Sequence, residues 1–235
     1  MNFSNNPLKI TASAFLVCLA LSVLAHDAWV EPVAGPIYRI LYGHKIPEPY
    51  KPVKVTSIKV FDANKKPLQF SKLETKEGLS IKTNNGAPAM FALEFDNGYW
   101  VKVGNESKNV PKSQMPEGTD PSHPLKYSKT IKSWQSWMKN PLGQRIEFVP
   151  VDFTGTPKAG SQLKLQLLLD GKPLSNQMVE NNSNEQGPKT DENGYVTVTV
   201  LKGINRFATD HDINQPNEPD AQRLSLTAAF VFVAK

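Results

Sequence analysis

Short runs of alternating apolar and polar residues, each closed by a turn signal, constrain the fold of this chain more than any other feature. They are clearest in the C-terminal part, at 145–151, 163–169, 195–201, 204–209 and 224–233. A period of two predicts strands with one buried face, and Asp170-Gly171 and Asn193-Gly194 predict tight turns between them. This spacing is typical of an immunoglobulin-like β-sandwich over 144–235.

The preceding part of the chain also predicts β structure. Candidate strands lie at 37–42, 53–61, 79–82, 89–95 and 99–103, and Asn97-Gly98 is a strong hairpin signal between the last two. The proline-rich stretch 104–126 predicts a long surface loop, and 210–222 predicts an acidic loop. Residues 127–139, with Trp134 and Trp137, fit either a bulged strand or a short helix. The predicted fold class is therefore all-β, with one β domain at 26–140 and a second at 144–235.

Residues 1–25 have the three parts of a secretory signal peptide. Lys9 supplies the positive n-region, 10–24 is apolar, and Val23-Leu24-Ala25 resembles a cleavage site. The apolar run is shorter than the about 20 residues of a membrane-spanning helix, so a cleaved signal is favoured over an anchor. Cys18 does not follow the small residue that a lipidated cysteine requires. We therefore expect an exported, periplasmic or secreted protein without a membrane span.

Charge and cysteine content exclude several classes of function. The formal net charge of +5 falls to +4 without Lys9, and no dense basic run suggests nucleic-acid binding. Cys18 is the only cysteine, so the mature chain has no disulfide, thiolate metal site or cysteine nucleophile. The serine-hydrolase, zinc-protease and dinucleotide-binding motifs are absent.

Cleavage after Ala25 would place His26 at a free N-terminus. Its α-amine and imidazole Nδ1 can then close a chelate ring on a metal ion. The pKa of an α-amine, about 7.7–8.0, makes its deprotonation near neutral pH inexpensive. Trp29 lies too close to this end for a loose tail, since a large apolar side chain requires a pocket.

Three further histidines are candidate ligands, and imidazole suits Zn, Cu and Ni. His44 follows Gly43 at the end of a predicted strand. His211 lies between Asp210 and Asp212, whose carboxylates are candidate ligands or supporting groups. His123, in the proline-rich loop, has the weakest pattern. The residues predict a metal site at His26 and His44, completed by His211 or Asp210.

The segment Ala25-His26-Asp27-Ala28-Trp29-Val30-Glu31-Pro32, followed by Tyr42-Gly43-His44, resembles a family of bacterial periplasmic domains of unknown function associated with nickel and cobalt uptake transporters. The segments 169–174, 190–196 and Asp210-His211 are similar to the C-terminal half of that family, and the first two are typical of transthyretin-like and immunoglobulin-like modules. The resemblance implies metal binding outside the cytoplasm, with ligands at His26, His44 and His211. It also implies a membrane metal transporter as a partner.

These observations favour an exported protein that binds a divalent transition metal for uptake or buffering, without enzyme activity. Nickel or cobalt is favoured, while copper and zinc remain open because ligand type alone does not select among them. One alternative is a carbohydrate- or protein-binding module presenting Tyr99, Trp100, Trp134 and Trp137. Another is a copper-dependent oxidative enzyme, since an N-terminal histidine with a second histidine suits such sites.

Overall fold

The computed structural model describes residues 26–31, 35–44, 46–182 and 187–235. The predicted signal peptide, 1–25, lies outside these ranges. Within them the chain forms fifteen β-strands and three short 3-10 helices, which confirms the all-β prediction. The strands are β1 (Asp27–Val30), β2 (Ile37–Gly43), β3 (Val55–Phe61), β4 (Phe70–Thr75), β5 (Gly78–Thr83), β6 (Met90–Asp96), β7 (Trp100–Val103), β8 (Glu106–Lys108), β9 (Thr119–Ile131), β10 (Ile146–Asp152), β11 (Gln162–Leu169), β12 (Lys172–Pro173), β13 (Tyr195–Thr199), β14 (Gly203–Asn214) and β15 (Arg223–Ala234).

The 3-10 helices span Pro52–Lys54, Lys112–Gln114 and Ser136–Lys139. None of the helices in the described ranges has the length and apolar character needed to cross a membrane.

The strands form three sheets. The first has the order β1-β2-β5-β4. The second and largest has the order β14-β15-β9-β6-β3, with β7 paired to β9 and β8 paired to β7. The third joins β10, β12 and β13 to β11.

The large sheet is buried on both faces. Because successive side chains of a strand point to opposite faces, Met90 of β6 joins one apolar core and Phe91 the other. One core contains Phe148 of β10 and Phe230 of β15, and the other contains Val30 of β1. The large sheet therefore packs against the third sheet on one face and the first sheet on the other, as a layered β-sandwich.

The two predicted domains contribute to the same sheet. Strand β9, from 26–140, runs parallel to β15, from 144–235, with Ser122 opposite Arg223 and Ile131 opposite Phe232. Strand β15 is flanked on its other side by β14. It has neighbours along both edges, and Phe230 and Phe232 join one apolar core while Ala229 and Val231 are buried on the other face, which explains its largely apolar sequence.

The predicted loop at 104–126 instead contains β8 and the beginning of β9. The prolines of β9 are accommodated because a strand position that needs no N–H donor tolerates proline. Pro124, for example, accepts a hydrogen bond from Asn97 N at 3.0 Å.

The predicted acidic loop 210–222 is also shorter than expected. Strand β14 continues to Asn214, since its ladder with β15 runs without interruption from Gly203 opposite Ala234 to Asn214 opposite Arg223. Strand β14 therefore carries Asp210, His211 and Asp212 within a regular ladder.

Candidate metal centre

His26 and His44 lie opposite each other at the open end of the β1–β2 hairpin. In its antiparallel register Asp27 faces Gly43, so the next pair outward is His26 and His44. Residues directly opposite on neighbouring strands bring their side chains into contact. The two imidazole centroids are 4.6 Å apart, with an angle of 43° between the rings.

Gly43 sets the turn that follows His44. Its φ is +137°, and a Cβ at this position would lie 2.6 Å from the carbonyl oxygen of Ile46. The turn returns the chain so that Glu48 N donates to Tyr42 O at 2.7 Å. This placement brings Glu48 Oε1 within 2.8 Å of His26 Nε2.

An aromatic stack supports the His26 ring. Tyr42 lies against it with a centroid distance of 5.1 Å and an angle of 17°, and Phe95 stacks on the other face of Tyr42 at 5.0 Å. The Tyr42 hydroxyl accepts a hydrogen bond from Asn97 Nδ2 at 3.0 Å, and burial raises the pKa of this tyrosine to about 12. The phenol is therefore neutral, and it provides a fixed platform for the imidazole.

Arg206 of β14 connects the two strand ends that carry the histidines. Its Nε lies 3.1 Å from Asp27 Oδ2, and its Nη2 donates to His44 O at 2.7 Å. The guanidinium carbon lies 4.2 Å from the centroid of Trp29, which is almost fully buried, as the sequence predicted. One arginine thus holds the beginning of β1 and the end of β2 together.

Asp27 is 4% exposed. Burial raises its pKa to about 7, although the positive charge of Arg206 opposes that shift and the negative charge of Asp210 adds to it. Its carboxylate pairs with Arg206, and for this reason we do not count Asp27 among the candidate metal ligands.

In the described ranges, no three His, Cys, Asp or Glu side chains are grouped so that they could hold a metal ion. The His26–His44 pair supplies two imidazoles. The α-amine of His26 would be a third nitrogen in a chain that begins at that residue. The donor set fits a transition metal under that condition.

A protein-family match covers most of this fold and ends within β14. The model of the family described as Domain of unknown function (DUF4198) matches residues 23–212, which include both histidines and strands from all three sheets. The chain belongs to this family. A relative of this DUF4198 protein, an uncharacterized protein of Haemophilus influenzae, is 26% identical over 238 residues, covering 97% of this chain and 99% of the relative.

Two other predicted ligands of the DUF4198 protein lie apart from the histidine pair. His211 is opposite Leu226 in the β14–β15 ladder and shares its face of the large sheet, which packs against the third sheet. There His211 Nδ1 lies 3.3 Å from Gln177 Oε1. The histidine pair is beyond the opposite face, so the sheet separates His211 from it.

The side chain of Asp210 points to the face of the large sheet that packs against β1, because the side chains of successive strand residues point to opposite faces. Its carboxylate accepts a hydrogen bond from Thr227 Oγ1 and acts on Asp27 through its charge. His123 is also engaged elsewhere: its Nε2 lies 2.7 Å from Asp96 Oδ1, and its ring stacks on Tyr99 at 4.3 Å.

The four aromatic residues considered for a binding surface are dispersed. Trp134 packs edge-on against Phe230 and Phe232, and Trp137 donates from Nε1 to Ala63 O at 2.9 Å. Trp100 lines a cleft beside His26. Trp134 and Trp137 thus contribute mainly to packing.

Sequence reasoning did not identify Asp27, Glu48 or Arg206 as parts of this site. Asp27 follows His26 directly and is followed by the apolar residues Ala28, Trp29 and Val30. A carboxylate in such an apolar strand is expected to be buried, and a buried carboxylate requires a partner. Glu48 and Arg206 have no comparable local signal, because only the turn at Gly43 and the packing of β14 bring them to the histidines.

Proposed function

We propose that this protein binds a divalent transition-metal ion outside the cytoplasm, through His26 and His44, and delivers it to an uptake system or buffers it. Nickel and cobalt are the favoured cargo, on the resemblance noted above. The proposal assigns the export to residues 1–25 and the third nitrogen ligand to the α-amine that cleavage exposes.

The contact between Glu48 and His26 is the observation that carries the proposal. A carboxylate on Nε2 stabilises the tautomer with a proton on that nitrogen, which leaves the Nδ1 lone pair for a metal. Nδ1 is the nitrogen that can chelate together with the α-amine of the same residue. Histidines that bind metals commonly donate their other N–H to a carboxylate in this way.

The spacing of the two rings supports the same assignment. With metal–nitrogen bonds of about 2.0–2.1 Å, two imidazoles bound at a right angle have centroids about 4.5 Å apart, and two bound opposite each other about 6 Å. The observed 4.6 Å fits ligands in neighbouring positions.

The first test determines the N-terminus of the secreted protein and then titrates Ni, Co, Cu and Zn into it by calorimetry. His26→Ala and His44→Ala should each reduce affinity by more than the about 10–100-fold that loss of a supporting residue costs. His211→Ala and His123→Ala are the matched controls and should bind like the wild type.

A second variant isolates the α-amine. One glycine inserted before His26 preserves both imidazoles but moves the amine out of the chelate, and it should lower affinity as much as His26→Ala does. The proposal fails if the mature chain begins elsewhere, or if both histidine variants retain full affinity for all four metals.

A further inference from the structure

A cleft opens directly beside His26. It has a volume of about 340 Å³, within the range of small-molecule sites, and lies between β7, β9 and β15. Tyr42 and Trp100 give it an aromatic wall, and Ser122 and Ser225 contribute hydroxyl groups. The cleft therefore combines apolar surface with a few polar groups, as small-molecule sites do.

A buried lysine lines this cleft. Lys126 is 3% exposed, and its Nζ donates to Thr227 Oγ1 at 2.9 Å. This is its one hydrogen bond among the described residues, although an ammonium group has three donors. Burial lowers the pKa of Lys126, while the charges of Asp210 and Asp27 oppose that shift. A buried ammonium with spare donors at a cleft wall favours an anionic ligand.

Two more cationic side chains of the cleft share a single carboxylate. Lys102 Nζ and Arg223 Nη2 both contact Asp120, at 3.1 and 3.0 Å. Asp120 is the one acidic residue that lines the cleft, while Asp212, outside the lining, lies 3.2 Å from Arg223 Nη1. The lining therefore carries three cationic side chains and one carboxylate, and the charges of Asp27, Asp210 and Asp212 also act on Lys126.

The adjoining hollow on the other side of Trp100 has the same character. Lys51 and Lys54 line it together with His26 and Glu48. The cationic side chains of both hollows attract an anion, while the carboxylate in contact with His26 is that of Glu48.

We infer that the protein takes its metal as an anionic complex with a small organic polycarboxylate, which occupies the cleft beside His26. Carboxylates of this molecule meet Lys126 and Arg223, while its metal is bound by His26. The inference rests on the proposed function and specifies the form of its cargo. Lys126 and Arg223 then determine which complex is accepted.

Equilibrium dialysis with radiolabelled citrate tests this inference on the secreted protein. Nickel sulfate is added in a non-coordinating buffer, alone and with an equal amount of citrate. We expect one citrate retained per nickel bound, and at least a 10-fold higher affinity for nickel citrate than for citrate alone. Lys126→Met should reduce citrate retention at least 10-fold, while Lys59→Met, an exposed lysine on β3, should behave like the wild type.

Arg223→Gln is the second variant, in case Lys126→Met does not fold, and it should also lose citrate. Wild-type protein that binds nickel alone but releases it to citrate, retaining no label, overturns this inference and leaves the proposed function standing. Protein that binds nickel under neither condition overturns the proposed function and this inference with it.

Discussion

Gly43 places two groups of the site at once, since the turn it forms orients His44 and returns Glu48 to His26. Few residues can replace it. The positive φ is unfavourable for any side chain, and the nearby carbonyl of Ile46 leaves no room for a Cβ. Its importance comes from this close approach as well as from its backbone conformation.

The substitution Gly43→Ala should therefore destabilise the protein more than Gly155→Ala. Gly155 has a similar φ of +145° but no atom within 4 Å of the added Cβ. Both variants incur about 1–3 kcal/mol of backbone strain, and Gly43→Ala should incur about 1–3 kcal/mol more from overlap. Urea unfolding of the metal-free proteins measures the difference. Equal losses would show that the close contact is unimportant.

Asp27 gives the metal-free protein a pH dependence of defined sign. Its pKa rises from an ordinary value near 3.9 to about 7 in the folded state, so the folded protein holds the proton more tightly than the unfolded chain. The free energy of unfolding should decrease as pH rises from about 4 to about 7, by at most about 1.4 kcal/mol per pH unit, and this contribution should be constant above that range.

Asp27→Asn isolates this effect, because the amide resembles the protonated acid and does not titrate. Relative to Asp27→Asn, the wild type should lose stability between pH 4 and 7 in urea unfolding with a chelator present. A difference that is independent of pH, or that grows in favour of the wild type, contradicts the assignment.

Among the elements, β14 and the β1–β2 hairpin are joined beside the proposed metal site by Arg206. The guanidinium contacts a carboxylate of β1, a carbonyl just after β2 and an indole of β1. A planar group with donors along two edges can make all of these contacts together, which a lysine cannot. Strand β14 thereby fixes the distance between the two histidines without contributing a ligand.

Arg206→Met should lower metal affinity by about 10–100-fold, as expected for a supporting residue. It should also cost about 3–5 kcal/mol at pH 8, because Asp27 remains buried without its partner. Arg206→Lys should recover part of the stability but little of the affinity, since one ammonium cannot reach both contacts. Arg39→Met, which breaks an exposed pair with Glu31, should cost less than about 1 kcal/mol. Calorimetric titration and urea unfolding provide the two measurements.

At the scale of the whole molecule, local pattern predicted the class of fold but not the arrangement of its sheets. The alternation of apolar and polar residues predicted most of the strands. The family resemblance around His26 and His44 pointed to two residues that the register of the β1–β2 hairpin places side by side. The pairing of β9 with β15 has no local signal, because it depends on residues far apart in the chain. The separation of His211 from His26 follows from the packing of the first and third sheets on opposite faces of the large sheet.

A buried ion pair connects two of the sheets. Lys129 of β9 contacts Glu147 of β10, and both side chains are almost fully buried. Glu147 also accepts hydrogen bonds from Leu142 N and Gly143 N, at 2.9 Å each. Burial lowers the pKa of Lys129, and the charge of Glu147 opposes that shift.

Lys129→Met should destabilise the protein by about 3–5 kcal/mol, since it leaves a buried carboxylate without its cation. The double variant Lys129→Met/Glu147→Gln removes that charge but retains an acceptor for a backbone N–H. It should be more stable than Lys129→Met alone in urea unfolding. A double variant that loses the sum of both single effects would show that the two residues act independently.

The parallel pairing of β9 and β15 also sets the order of events as the protein is made. The two strands are separated by about 100 residues, so the loop between them must close before the large sheet is complete. Strand β15, 12 residues long, follows every other strand in the chain and supplies the neighbour for both β9 and β14. A nascent chain that has not yet reached residue 234 therefore lacks the strand that joins β14 to β9, and the large sheet cannot be completed before this strand has been made.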